Sequence, residues 1–152
     1  MERLPKPQCQ RMHDFESELI ADSRLAFAAK EVGVLVFWIS AGLMAATAVA
    51  HSVVGERQLI RPALGLQAGI LRVPLARQVL RFAWHLTSVL MLLSAALVAW
   101  PSSPHALVGV AGAVWLAVGL VDAAYTRGKH LGWPLLSAAG ALSLVGALLA
   151  GL

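Results

Sequence analysis

Four apolar runs, each about as long as a helix that crosses a bilayer, divide this chain and leave few architectures open. Residues 32–50, 82–100, 106–125 and 131–152 form runs of 19, 19, 20 and 22 residues, and a helix needs about 20 to traverse some 30 Å of hydrocarbon. The charges respect that division. Of 20 Asp, Glu, Lys and Arg residues, 11 lie in the first 31 positions, six lie between Glu56 and Arg81, and only Asp122, Arg127 and Lys129 come later. Hydrophobic residues make up 59% of the chain against 13% charged, and the mean hydropathy is +0.73, a balance that excludes an ordinary soluble domain. The predicted fold is an all-α integral membrane protein. It is an antiparallel bundle of four transmembrane helices near residues 32–54, 80–100, 105–126 and 132–151, preceded by an amphipathic segment within a polar arm, residues 1–31.

Orientation follows from the joints. The first connection carries Arg57, Arg61, Arg72, Arg77 and Arg81 and the third carries Arg127 and Lys129, whereas the second, residues 101–105, has no Lys or Arg. By the positive-inside rule the first and third connections are cytoplasmic, and the Pro-Ser hairpin and both termini are external. The arm, with five basic residues against six acidic ones, pulls the other way but is close to neutral. Nine arginines against three lysines amid abundant alanine fit a GC-rich bacterial genome, so the expected location is a bacterial cytoplasmic membrane. The single cysteine, Cys9, excludes an intramolecular disulfide or a cysteine metal cage. The acidic start, without an apolar core, is unlike a cleaved secretory signal.

Within the arm, residues 1–11 read as loop because of Pro5 and Pro7, while Met12, Phe15, Leu19, Ala26 and Phe27 recur at helical spacing. Such a helix would lie along the membrane surface or pack on a partner subunit. The connector, residues 57–78, is long for a link between helices. With Pro62, Gly65, Gly69 and Pro74 among leucines and isoleucines, it reads as a broken interfacial piece whose arginines reach lipid phosphates. Small residues mark helix contacts: Gly109, Ala113 and Ala117 form one stripe on the third run, with Gly112, Gly119 and Ala123 beside it, and Gly140, Ser143, Gly146 and Gly151 mark the fourth. Trp84, Trp100 and Trp133 lie near run ends, where indoles favour the interface. Trp38 and Trp115 sit deeper and call for packing partners.

The chemistry concentrates at one end. His51 and Glu56 follow the first run, His85 lies one turn inside the second, Asp122 one turn before the end of the third, and His130 just ahead of the fourth. Antiparallel threading brings these ends to one face, and ionisable residues inside a membrane boundary are candidates for function. Three imidazoles and two carboxylates suit Zn or non-haem Fe, with Glu56 or Asp122 as general base for hydrolysis of a lipid ester or amide. Two of the histidines as axial ligands would suit a b-type haem. No HExxH or other local signature supports a particular metal.

Each residue also has a structural reading. Glu56 pairs with Arg57 or Arg81, Asp122 with Arg127 or Lys129, His85 needs a partner on another helix, and His130 caps a helix. His51 and Glu56, about 140° apart on an ideal helix, share a face only if Gly55 takes the left-handed ending. His13 and His105 lie outside the group and are expected in solvent. Whether the chain is an enzyme stays open at this level. The competing class is a non-enzymatic accessory subunit of a larger membrane complex, in which the polar residues form a hydrogen-bonded clasp. A transporter is less favoured, because four spans enclose little room for a pathway. The expected partners are the lipid bilayer and either other membrane subunits or further copies of the chain, with no nucleic acid.

The charge pattern makes one topological prediction. In a variant lacking Cys9, single cysteines at Ser103 and at Gly128 are expected to label from opposite faces of sealed membranes. Labelling of both from one face would break the antiparallel threading.

Overall fold

The computed structural model describes the backbone of residues 6–151, and for residues 6–14 and 16–18 the backbone alone. The chain forms α1 (Lys6–Gly55), a π-helical stretch (Glu56–Ile60), α2 (Arg61–Gly65), a 3-10 turn (Gly69–Arg72), α3 (Pro74–Ala99), α4 (His105–Thr126) and α5 (Gly132–Ala150). No strand occurs among the described residues. Four helices are long and apolar enough to cross a membrane: α1, α3, α4 and α5. The apolar side chains left uncovered by protein on these helices are consistent with lipid contact.

The element ends have local causes. Helix α3 opens with Pro74 in its first turn, where the missing N–H would have had no partner and the fixed φ suits a helix. It thus absorbs residues 74–78 of the expected connector. It stops at Trp100, which is extended (φ −73°, ψ 119°) as a residue before proline prefers. Helix α4 ends in a left-handed turn at Arg127 and Gly128 (φ 53° and 73°), and the Gly128 N–H closes on the Ala123 carbonyl at 2.8 Å, satisfying a terminal acceptor.

At the N-terminus the structure departs from the sequence reading. Residues 6–11 are helical rather than loop, since Pro7 sits in the first turn, where proline is tolerated. Residues 1–5 and the side chains of Met12 and His13 lie outside the described residues. The 50 residues of α1 extend about 75 Å at 1.5 Å each, more than twice the hydrocarbon thickness. Its packing on α5 begins at Gly33, whose missing Cβ would meet the Ala150 backbone N at 3.2 Å. From Leu19 to Val32 the helix is almost entirely uncovered. A helix that crosses a bilayer and continues unbroken leaves it along its own axis, so the arm extends the first span rather than turning flat at a break near residue 31.

The packing order across the fold is α3, α1, α5, α4, with α3 and α4 making far less contact than the other neighbours. All three main pairs are antiparallel. Gly112 on α4 lies against Gly140 and Ser143, and Gly119 against Ser137 and Trp133; Gly33 on α1 lies against Gly146 and Ala150. Of the two stripes expected on α4, the one carrying Gly112 and Gly119 is buried, and Ala113 and Ala117 are uncovered. In the middle of the α1–α5 contact, Ser40 Oγ donates to the Ala139 carbonyl at 2.7 Å and shares a 2.8 Å hydrogen bond with Ser143 Oγ. Both serines are 0% exposed. In an apolar medium such a pair joins two helices at one register.

Apolar side chains fill what remains. Ala41, Met44, Ala95, Val98, Val108 and Ala139 form one cluster, and Ala48, Met91 and Leu136 a second. Trp115 packs on both, which accounts for its depth in the third run. Trp38 has no such role; it is 59% exposed.

Glycine placement generates a paired prediction. A Cβ at Gly140 would lie 2.6 Å from the Gly112 carbonyl oxygen and closer still to the Leu116 amide, whereas one at Gly42 would meet nothing within 4 Å. Gly140→Ala is expected to cost about 1–3 kcal/mol by forcing α4 and α5 apart. Gly42→Ala is expected to be neutral or to stabilise by up to about 1 kcal/mol. Thermal unfolding in a mild detergent checks both signs.

Candidate functional site

The residues singled out by depth do meet at one end of the fold, but in pairs. On α1, Ala41, Met44, Ala48, His51, Ser52, Gly55 and Glu56 recur at three- and four-residue steps and so form one face. On α3, Arg81, Trp84, His85, Ser88, Met91, Ala95 and Val98 do the same. These two faces oppose each other, apolar in the middle and polar at the end.

His51 lies flat on Trp84, ring centroids 4.1 Å apart and planes 11° from parallel. The Trp84 indole N–H donates to the His51 carbonyl at 3.2 Å, an acceptor in the last turns of α1. His51 Nε2 meets Thr87 Oγ1 at 2.9 Å. Gly55 is what admits the indole, since a Cβ there would overlap the Trp84 ring. The expected left-handed ending at Gly55 is corrected: its backbone is right-handed helical (φ −63°, ψ −40°) and runs on into the π-helical stretch. Its bareness serves packing, not a turn. His51 and Glu56 lie toward opposite edges of the α1 face and take different partners.

Glu56 forms the second assembly. One carboxylate oxygen, Oε1, is ion-paired with Arg81 Nη2 at 2.8 Å and accepts a hydrogen bond from Arg61 Nε at 3.3 Å. The other, Oε2, is shielded from solvent without a hydrogen bond and has His85 Nε2 at 3.4 Å, an electrostatic neighbour rather than a well-aligned donor. The far nitrogen of the same ring, Nδ1, is 2.7 Å from Ser52 Oγ. Ser52, His85 and Glu56 therefore form a continuous polar line from α1 to α3 and back. Of the two ion pairs foreseen for Glu56, the structure has that with Arg81 and not that with Arg57. Arg61, four residues further than Arg57 from the membrane run, was not foreseen, and the π-helical stretch between it and Glu56 shifts the register that an α-helical count assumes.

The third assembly closes the α4–α5 turn. His130 Nδ1 is 2.5 Å from Asp122 Oδ2; Arg127 and Lys129, the partners expected for Asp122, make no ion pair with it. Thr126 Oγ1 donates to the Asp122 carbonyl at 2.7 Å and accepts from the His130 amide at 3.4 Å, and the Trp133 indole donates to the Gly128 carbonyl at 3.3 Å. A Cβ at Gly132 would stand 2.7 Å from the His130 ring, so this glycine leaves the imidazole its place. His105 lies at the other end, exposed, with its ring 6.1 Å from that of Phe37.

Among the described residues, no three His, Cys, Asp or Glu side chains gather as a metal shell requires. The donors expected to share one ion are divided among the three assemblies. A metal would have to displace Thr87 from His51, and Ser52 or Glu56 from His85. Among the described residues these donors are engaged in separate assemblies and do not form one Zn or Fe shell. The Ser52–His85–Glu56 line brings hydroxyl, imidazole and carboxylate together, but Ser52 lies inside a continuous helix whose N–H groups are bonded along the ladder.

No protein-family model, curated relative or solved structure matches the chain.

The geometry of these assemblies ranks two substitutions. Glu56 ties three partners on two elements and its side chain is 14% exposed, whereas Asp122 joins only the two ends of one turn. Glu56→Gln is expected to destabilise by about 1.5–3 kcal/mol, the range for hydrogen bonds to a charged group. Asp122→Asn is expected to cost under about 1 kcal/mol, as a pair with a half-exposed imidazole does. Unfolding in detergent at neutral pH tests the order, and a larger loss for Asp122→Asn would reverse it.

Proposed function

We propose that this chain is a non-enzymatic accessory protein of a bacterial cytoplasmic membrane, a lipid-embedded bundle whose polar residues are clasps between helix ends. The observation that carries the reading is the engagement of each histidine and carboxylate at the clustered end: His51 with Thr87 and Trp84, His85 with Ser52 and Glu56, and His130 with Asp122. A catalytic or metal centre needs donors turned toward a common vacant point. Here they are turned toward one another. The arginine distribution supports a cytoplasmic side for the clasped end, with both termini outside.

The extension of α1 supplies the contact with other subunits. Phe15, Leu19, Ile20, Leu25 and Phe27 are all uncovered on a helix that continues the first span past the end of the bundle. Small-residue faces and a projecting arm suit a protein that packs beside larger membrane components.

Protein purified without chelator is expected to hold no Zn, Fe or haem near stoichiometry by elemental analysis and absorption spectroscopy. Asp122→Asn is expected to leave its size and spectrum unchanged, because the amide oxygen still accepts from His130. A stoichiometric metal that is lost in His51→Ala, His85→Ala and His130→Ala but kept in His105→Ala would overturn the proposal in favour of the metal site.

A further inference from the structure

Beside the clasps, the connector and the first two turns of α3 enclose an open pocket of about 510 Å³, whose polar lining is Gln67, Arg77, Gln78 and Arg81, with Leu64 and Pro74 as apolar walls. Its place in the fold follows from two features. Pro74, Arg77, Gln78 and Arg81 stand at steps of three and four on α3 and so share a face, and the chain between α2 and the 3-10 turn bends back over that face through Gln67, which is left-handed (φ 43°).

The lining carries two guanidinium groups and two amides, and no carboxylate. Glu56 reaches one nitrogen of Arg81 and one of Arg61; Arg77 makes no ion pair among the described residues, and its side chain is half-buried. The pocket therefore keeps net positive charge after its neighbours are counted. Planar guanidinium forks match the oxygens of a phosphate, and the volume falls within the range of small-ligand sites, roughly 300–1,000 Å³. What surrounds it narrows the source of that phosphate. Leu66, Ile70 and Leu75 are uncovered, at 76%, 73% and 66% exposure, and the apolar run of α3 begins at Phe82, directly after Arg81. A polar, cationic hollow with an apolar fringe at the start of a membrane span has the two-part chemistry of a phospholipid.

We propose that this pocket binds the phosphate of an anionic phospholipid, with Arg77 as the principal contact and Arg81 and the two glutamines completing the site. The assignment is independent of the clasp reading, and it selects Arg77 and Arg81 from among five connector arginines.

The test uses the full chain in phosphatidylcholine nanodiscs to which phosphatidylglycerol is added, with bound lipid counted by native mass spectrometry. Phosphatidylglycerol is expected to be retained over phosphatidylcholine, and Arg77→Gln to weaken that retention about tenfold, the loss of one charged hydrogen-bonding group. Arg72→Gln, exposed and outside the lining, is expected to leave retention unchanged. Equal loss in both variants would reduce the effect to general surface charge, and no loss in Arg77→Gln would remove the site; either overturns the proposal. Displacement of the lipid by millimolar inorganic phosphate would make the occupant a soluble phosphate and overturn the lipid assignment. Should Arg77→Gln fail to fold, Gln78→Glu puts a carboxylate into the pocket and leaves Arg77 in place. Its retention of phosphatidylglycerol at the wild-type level would overturn the proposal equally.

Discussion

The close approach of α5 to both of its neighbours is the constraint on which the rest of the fold depends. Lipid tails are as apolar as leucine, so helices in a bilayer gain little from hiding hydrophobic surface and must gain from contact and hydrogen bonding instead. Gly112, Gly119 and Gly140 let the α4 and α5 backbones touch, and Gly33 and Gly146 do the same for α1 and α5. The Ser40–Ser143 pair adds a polar bond at a depth where no water competes. Because bare backbones interlock at fixed points, these contacts set the axial register as well as the distance. Once α1 and α4 are both registered on α5, the ends bearing His51, Glu56, Asp122 and His130 are brought to one level.

Helix α3 is held differently. It makes little contact with α4 and depends on α1, through a single face that is apolar from Met91 to Val98 and polar from Arg81 to Ser88. At the polar end, apolar packing gives way to the His51–Trp84 stack, the Ser52–His85 bond and the Glu56–Arg81 pair. The clasps thus stand where the helix lacks other support, which is a physical reason for costly polar groups near a membrane boundary. The Asp122–His130 pair has a separate task. It fixes a short turn between helices already joined along their length by glycine contacts.

The same α3 start also shapes the basic pocket. Glu56 pairs with Arg81 and Arg61, while Arg77, one turn before Arg81 on the same face of α3, makes no ion pair among the described residues. The first turns of α3 thus carry one arginine engaged in internal pairing beside one that is not.

Much of this was written in the chain. The length and charge punctuation of the runs determined four helices, their antiparallel threading and the shared level of the polar residues, because bilayer thickness fixes helix length regardless of partners. Helix periodicity also placed His51, Ser52 and Glu56 on the stripe that continues Ala41, Met44 and Ala48, a signal stronger than depth alone for telling which residues would meet. Tertiary structure alone decided the pairing. Depth does not reveal that α3 packs on α1 and not on α4, that a π-helical stretch brings Arg61 rather than Arg57 to Glu56, or that Gly55 is bare to admit an indole. Nor does it show that the arm continues α1 without a break. These outcomes depend on which faces and which small residues meet across helices, and that is settled only when all four are packed at once.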